Sequence, residues 1–496
     1  MIDGSFSDGV AQRQGPVAGA ADRLKVVVLD DDPTGSQTLH GCPLLLRWDP
    51  PALKAALRQA SPFLFLLANT RALGPTEAAE RVRQICRALA PALAAARAEG
   101  VIDGALLVSR GDSTLRGHFP VEVEAIAAEL GPIDATFLVP AFLEGGRTTV
   151  DGVHRLHGQP VHETPFARDG LFAYTTSDLR QWVAEKTGGR LSASAVEHLS
   201  WRELEAAAAH AEHRGALRAR LAALADNRLV VVDASRPEHL ALFAAVVREL
   251  AAPGAGGGLS RPRRFLFQSA ASLLNGLAPL PPQPLAPAGL AALRRRESTG
   301  TSLGGLVLVG SHVPLADVQL ERLLAQEGCE GVEVPVARVH RVLEGPLPDR
   351  LLASLENDWI QAVHSVLERR RTPVLFTSRG ELRCRHAAER RALGLALAAA
   401  MARVAAALAP RLGYVISKGG ITTHTLLADG LGLDWVALRG QLLPGLSLVQ
   451  APDNPAARAA GFFRLPVLTF PGNLGDADSL LIAWRLMEGG ASGQAG

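Results

Sequence analysis

The residues best suited to chemistry stand where apolar runs end. VVVL (26–29) passes into Asp30, Asp31, Asp32, Pro33, Thr34, Gly35 and Ser36, and FLFLLA (63–68) into Asn69, Thr70 and Arg71. ALLVS (105–109) leads into SRGDSTLRGH (109–118), and TFLVP (136–140) into PAFLEGGRTTVDG (140–152). Three adjacent carboxylates repel one another unless they face a cation, a metal or a hydroxyl-rich ligand, and one of them is a candidate general base. The blander reading has Asp32 or Thr34 capping a helix and the others solvated. Arg71, Arg110, Arg116 and Arg147, in loop-like contexts, suit bidentate pairing with a carboxylate or phosphate. Only Lys25, Lys54, Lys186 and Lys418 among the 51 basic residues are lysines, so any single arginine is as readily a surface residue.

The second half carries a different signature. SKGGITTHTLL (417–427) runs from an apolar strand through two glycines into a helical pattern, a junction whose backbone N–H groups and helix dipole suit an anion. Lys418 adds a point charge. A glycine turn with a threonine cap and no ligand explains the same residues equally well. LVLVGSH (306–312) and LTFPGN (468–473) also end on small residues that let a ligand approach the backbone, and three such ends suggest a nucleotide pocket. Neither standard phosphate fingerprint is present: G-x-x-x-x-G-K-[ST] is absent, and GAGGG (254–258) lacks the third glycine of G-x-G-x-x-G.

Positioning these residues requires strands and helices in alternation. Apolar runs of Val, Leu and Phe recur between longer Ala/Leu/Glu/Arg segments, the pattern of α/β layers with buried, mostly parallel strands. In such sheets ligands bind beyond the carboxyl ends of the strands. Six strands are expected in the first half (26–29, 63–68, 105–109, 136–140, 229–233 and 265–268), with helices near 76–98, 120–130, 201–225 and 237–251. The pattern restarts at 306–309, 332–336, 373–377, 414–417 and 466–470. Residues 252–264 read as a surface loop. The Pro/Ala-rich stretch 277–305 reads as an interdomain linker, giving domains at 23–276 and 306–488 with disordered tails at 1–22 and 489–496.

Composition narrows the classes. A chain of 496 residues that is 48% hydrophobic has ample material for two cores, which excludes a disordered or fibrous chain. A net charge of +2 offers no field for a polyanion or an anionic membrane surface, so neither nucleic acid nor membrane is an expected partner. Cys42, Cys86, Cys329 and Cys384 form no C-x-x-C pair, which argues for a reducing cytoplasm. The first twenty-two residues lack the apolar core of a signal peptide, and LGLALAAAMARVAAALA (393–409) is too short for a bilayer and reads as a packed helix.

Taken in order, DDPTG (31–35), GDSTLRG (111–117), PAFLEGGRTT (140–149), GSHVP (310–314), SKGGITT (417–423) and PGNLG (471–475) resemble the recurring blocks of the four-carbon acid sugar kinase family, from about Lys25 to Met487. The resemblance implies two three-layer α/β domains with mostly parallel sheets and an active site in the cleft between them, the first binding a sugar acid and the second ATP. It places Asp31, Asp32, Arg71, Asp112, Ser113, Arg116 and Arg147 in the acid site, with Asp31 or Asp32 as base. Ser311, Ser417, Lys418, Gly419, Gly420, Ile421, Thr422, Gly472 and Asn473 would line the nucleotide site. The implied reaction moves the γ-phosphoryl group of ATP, with Mg²⁺, to a terminal hydroxyl of threonate, erythronate, an oxo-tetronate or a relative. Metal ligands are not assigned, and a homodimer is expected on base rates alone. Two rivals remain: a haloacid-dehalogenase-like phosphatase with Asp30 as nucleophile and Asp32 as acid/base in D-x-D-x-T, and a sensor that binds sugar acid or nucleotide without turnover.

Overall fold

The computed structural model describes residues 23–32, 39–253, 260–278, 280–380 and 387–489. The tails expected at 1–22 and beyond Gly489, the stretch Pro33–Ser36, the 254–258 glycines and Cys384 lie outside the described residues. The chain divides between Pro281 and Pro282 into two compact units, with Leu39–Gly41 going with the second.

In the first unit the apolar runs form β1 (Leu24–Asp30), β2 (Cys42–Leu45), β3 (Phe63–Leu67), β4 (Gly104–Arg110) and β5 (Ala135–Val139). A small antiparallel sheet follows, made of β6 (Arg147–Val150), β7 (Val153–Leu156) and β8 (Gln159–Pro160). Then come β9 (Glu197–Leu199), β10 (Arg228–Val232) and β11 (Phe265–Ser269). The main sheet has the order β2-β3-β1-β4-β11-β5-β10-β9 and every pairing in it is parallel. β1 and β3 are buried along their whole length, which is why they read as unbroken apolar runs. Connections through helices 50–57, 75–98 and 121–130 step one way across the sheet, and those through 201–222 and 237–251 step back. Right-handed crossovers therefore place the two sets on opposite faces. The single helix expected over 201–225 is two, Trp201–Ala209 and Ala211–Ala222, because His210 adopts an extended conformation (φ −133°, ψ 129°).

The second unit holds β12 (Gly305–Val309), β13 (Cys329–Val334), β14 (Thr372–Thr377), β15 (Tyr414–Lys418), β16 (Trp435–Leu443), β17 (Leu446–Gln450) and β18 (Pro466–Phe470). Their order is β13-β14-β12-β15-β18-β17-β16, parallel up to β18, with β17 antiparallel to both β18 and β16. The apolar stretch 393–409 belongs to helix Ala387–Leu408. By length and composition the span Glu389–Arg411 could cross a membrane, yet more than half of its apolar window is buried inside the unit. Arg403 on it pairs with the buried Glu356 (2.9 and 2.5 Å). Within 277–305, Pro287–Ala291 is helical with Leu290 fully buried. Arg294 and Arg295 there donate to Leu303 O (2.8 Å) and Ala409 O (2.9 Å), so much of that stretch packs as part of the second unit.

Candidate active site

In the first unit, β1, β3 and β4 end level with one another, Asp30 lying beside Leu67 and Arg110 in the ladder. The chain after β3 wraps this end: Ala68 and Asn69 N–H donate to Asp30 O, and Arg71 N–H to Asp31 O. Asn69 takes the left-handed conformation (φ 50°) that this turn needs. Arg71 is thereby delivered to the acids, forming a fork on Asp31 (Nε–Oδ2 2.9 Å, Nη2–Oδ1 2.5 Å) and reaching Asp32 Oδ2 at 3.1 Å. From β4, Arg110 Nη1 stands 3.6 Å from both Asp30 Oδ1 and Asp31 Oδ1. The loop beyond β4 sets Arg116 Nε on Asp112 Oδ2 (2.8 Å) and its guanidinium over the Phe166 ring.

Arg147 reaches this cluster from β6. The hairpin that carries it is docked on the 111–118 loop by the fully buried His154, whose Nε2 lies 2.8 Å from Ser113 O while Thr149 Oγ1 engages its Nδ1 at 2.9 Å. Tyr174 OH adds a bond to Thr114 O (2.7 Å). Arg147 is buried, its Nη1 donates to Gly145 O, and its Nε has no partner. Among the described residues it makes no ion pair. Burial pulls its pKa down; Asp112 opposes this and Arg116 reinforces it.

Charge in the cluster is unevenly distributed. Burial pushes Asp30 up to about 7, Arg110 opposing. Burial also raises Asp31 against the pull of Arg71. Asp112 goes the other way: despite its burial, Arg116 and Arg71 hold it well below the usual carboxylate range. Behind Arg71, the buried Glu122 accepts from Thr70 Oγ1 and is pushed up to about 7 by burial and by Asp31. His118 Nε2 faces Thr70 O (3.1 Å) and Leu73 O (3.0 Å). The D-x-D-x-T reading meets a difficulty here: Asp30 is 0% exposed and its Oδ1 accepts from Asp32 N–H (3.3 Å), a poor station for a nucleophile. Thr34 lies outside the described residues.

In the second unit the neighbouring strands β12, β15 and β18 end together, and glycines make this convergence possible. A Cβ on Gly310 would lie 2.1 Å from Thr422 Oγ1, and one on Gly472 would lie 2.4 Å from Ser311 Oγ. Gly419 has φ 121° and donates to Phe470 O (2.9 Å). The helical run that follows, Gly420–His424 and then a π-wound Thr425–Gly430, leaves the first N–H groups, from Gly420 to Thr422, without intrahelical acceptors. Ile421 is exposed and Thr422 buried. Ser417 faces inward, its hydroxyl taken by Thr423 Oγ1 (2.9 Å). Lys418 differs from the expected open point charge. It is fully buried, its ammonium lies over the Phe470 ring and donates to Pro471 O (3.1 Å) and Gly472 O (3.3 Å), and burial and Arg379 pull it down to about 7. It braces the loop that carries Gly472 and Asn473.

The structure thus gathers Asp31, Asp32, Arg71, Asp112, Ser113, Arg116 and Arg147 at one end of the first sheet. It gathers Ser311, Ser417, Lys418, Gly419, Gly420, Ile421, Thr422, Gly472 and Asn473 at one end of the second. Sequence reasoning missed Glu122, whose place at the start of a helix looks like an ordinary charge-dipole residue, and Arg379. Arg379 Nη1 donates to Ser311 O (2.6 Å) from just beyond β14. Among the described residues the one three-donor group with metal-ligand chemistry is His340, Glu344 and Glu389, on helices 336–344 and 387–408 and apart from these strand ends.

Comparison with known proteins agrees with this division. Residues 26–277 match the family described as a sugar-binding N-terminal domain, and residues 306–480 match the nucleotide-binding C-terminal domain. A D-threonate kinase of Cupriavidus necator is 30% identical over 393 residues, covering 77% of this chain and 80% of that one. A D-erythronate kinase of Heliobacterium modesticaldum is 30% identical over 175 residues, 35% of each chain. Among solved structures, a Salmonella typhimurium LT2 protein described as a tRNA synthase gives a TM-score of 0.60 at 18% identity, covering 93% of this chain and 98% of that one. Haemophilus influenzae protein HI1011 gives 0.54 at 16%, covering 93% and 99%. At these identities the two structures speak for the fold alone.

Proposed function

The chain belongs to the four-carbon acid sugar kinase family and is a sugar-acid kinase; on that premise we propose that it moves the γ-phosphoryl group of ATP to a terminal hydroxyl of a four-carbon hydroxy acid of the threonate or erythronate type. One observation carries the acid half of this reading: Arg147 is a buried guanidinium without a carboxylate partner among the described residues, beside an Arg116 already committed to Asp112. A buried charge of this kind calls for an anion, and a substrate carboxylate supplies one with bidentate geometry.

Arg71 fixes the acids. It holds the nearly buried Asp31 (side chain 2% exposed) in a fork, and it leaves Asp32 the more accessible of the pair at 16%. Asp32 is therefore the preferred candidate for taking the hydroxyl proton late in transfer, with Asp31 holding Arg71 in place. In the second unit, the convergence of Gly310, Gly419 and Gly472 makes the kind of backbone cradle that phosphates fit, and the N–H groups from Gly420 to Thr422 are its donors. Mg²⁺, bound mainly through phosphate oxygens and water, would spread the charge of the triphosphate.

The test is ADP formation with ATP and D-threonate, D-erythronate and their oxo forms. Acid-dependent ADP formation is expected, and Arg147→Met should raise KM for the acid by about 10- to 100-fold while leaving KM for ATP in place, the worth of a charged hydrogen bond. ADP formation indifferent to every acid, or an unchanged KM in Arg147→Met, refutes the reading.

A further inference from the structure

Beside the acid cluster lies a narrow recess of about 20 Å³, room for one water-sized group such as a hydroxyl. Its charged wall is Asp112 and Arg116, its apolar floor includes Phe119 and Leu138, and Trp182 and Gln268 also line it. Two of its buried polar atoms lack partners: the indole Nε1 of Trp182, a donor, and Oε1 of Gln268, an acceptor. An unpaired buried polar group is costly in a packed interior, and here one of each kind lines a single recess.

Both side chains are held in place. Trp182 is 2% exposed, packs on Phe119 with ring centroids 4.9 Å apart, and rides a helix capped by Asp178, which accepts from Arg180 N–H (2.9 Å) and Gln181 N–H (3.2 Å). Gln268 comes from β11, and its amide lies over Gly111, where a Cβ would stand 2.6 Å from Nε2. The bare Gly111 therefore lets the Gln268 side chain lie against the loop that carries Asp112 and Arg116.

We infer that Trp182 and Gln268 are specificity-determining residues that read a hydroxyl on the carbon chain of the acid, which rests on the kinase reading above and narrows its substrate. Only a hydroxyl can accept from the indole N–H and donate to the amide oxygen at once. A carbonyl at the same carbon leaves Gln268 Oε1 unpaired, and a methylene leaves both groups unpaired. Sites built in this way reject the analogue that lacks the group far better than they reject a change in size. The recess thus selects hydroxy acids over oxo and deoxy acids.

The experiment measures kcat/KM for D-threonate and D-erythronate against 2,4-dihydroxybutanoate, 3,4-dihydroxybutanoate and the 2-oxo and 3-oxo acids, in the full chain and in Trp182→Phe and Gln268→Met. The wild type should prefer its hydroxy acid over the analogue altered at the recess by at least about 100-fold, and each variant should cut that preference by about 10-fold. Tm and KM for ATP should stay as in the wild type. Preference unchanged in both variants, equal loss on every acid together with a lowered Tm, or an oxo acid as the best substrate overturns the inference. Silence of the wild type towards all of these acids refutes phosphoryl transfer instead. The recess is then judged by calorimetric binding of the same acids, with the same ratios expected and the same results overturning it.

Discussion

Gly310→Ala is the sharpest test of the nucleotide cradle. The new methyl would lie 2.1 Å from Thr422 Oγ1, 3.3 Å from Thr422 Cβ and 3.5 Å from Thr422 Cγ2. A tolerable C···O contact is roughly 3.3 Å, so about 1 Å of movement is required. Thr422 is buried and β-branched within a helical run, which restricts how far its side chain can turn aside. The start of that run must retreat, at the cost of overpacking, about 1–3 kcal/mol. Displacing phosphate donors by about 1 Å is expected to lower kcat/KM for ATP by about 100-fold. Thr422→Ala deletes the one atom closer than 3 Å, so the double variant should recover to within about tenfold of wild type. Initial rates at varied ATP across all four proteins, with Tm beside them, give the coupling directly. Strictly additive losses would refute the idea that Gly310 is bare in order to admit Thr422.

Three further outcomes follow from the site. Asp32→Asn should lower kcat by about 10²–10⁴-fold with little change in KM for the acid, the range for loss of a general base; steady-state kinetics check it, and a wild-type kcat would move the role to Asp31. Lys418→Met should raise KM for ATP by about tenfold, because Pro471 O and Gly472 O lose their donor; an unchanged KM would make Lys418 mere filling. Glu122 is raised to about 7 when folded, above about 4.3 in the unfolded chain. Its contribution to stability is therefore full below the unfolded value and lost as pH climbs to about 7. Glu122→Gln escapes that loss, so its Tm should match the wild type near pH 4.5 and exceed it by several degrees at pH 8.

All eleven strands expected from apolar runs exist, most of them buried along nearly their whole length, whereas Cys329–Val334 buries only half of its residues. Cys42–Leu45 and Leu446–Gln450 escaped notice although both are fully buried; other strands that escaped are of another kind. Trp435–Leu443 alternates half-buried and buried residues, and the Arg147–Val150 and Val153–Leu156 hairpin is built of Arg, Thr and His. Neither produces a continuous apolar signal. Pro335 moves β13 three residues ahead of where VEVPV placed it, ending the strand at Val334. The acids and arginines of the site were legible because they sit directly at strand ends. The partners Glu122, His154 and Gln268 were not: Glu122 looks like a helix-start acid, His154 like an ordinary hairpin residue, and Gln268 ends a strand far along the chain. Lys418 was legible as a rare lysine but not as a buried one, because burial depends on how β18 and its loop close over it.

In each unit the strand made last is not at the rim. β11 slots between β4 and β5, and β18 slots between β15 and β17. During synthesis at about 5–20 residues per second, each sheet must wait with a gap at its centre until its closing strand leaves the ribosome. A chain cut short before Phe265 or before Pro466 would display two raw sheet edges, a template for aggregation and a target for chaperones. Gln268 arrives with the first of these closing strands, so the recess that it lines forms only when the first sheet is complete.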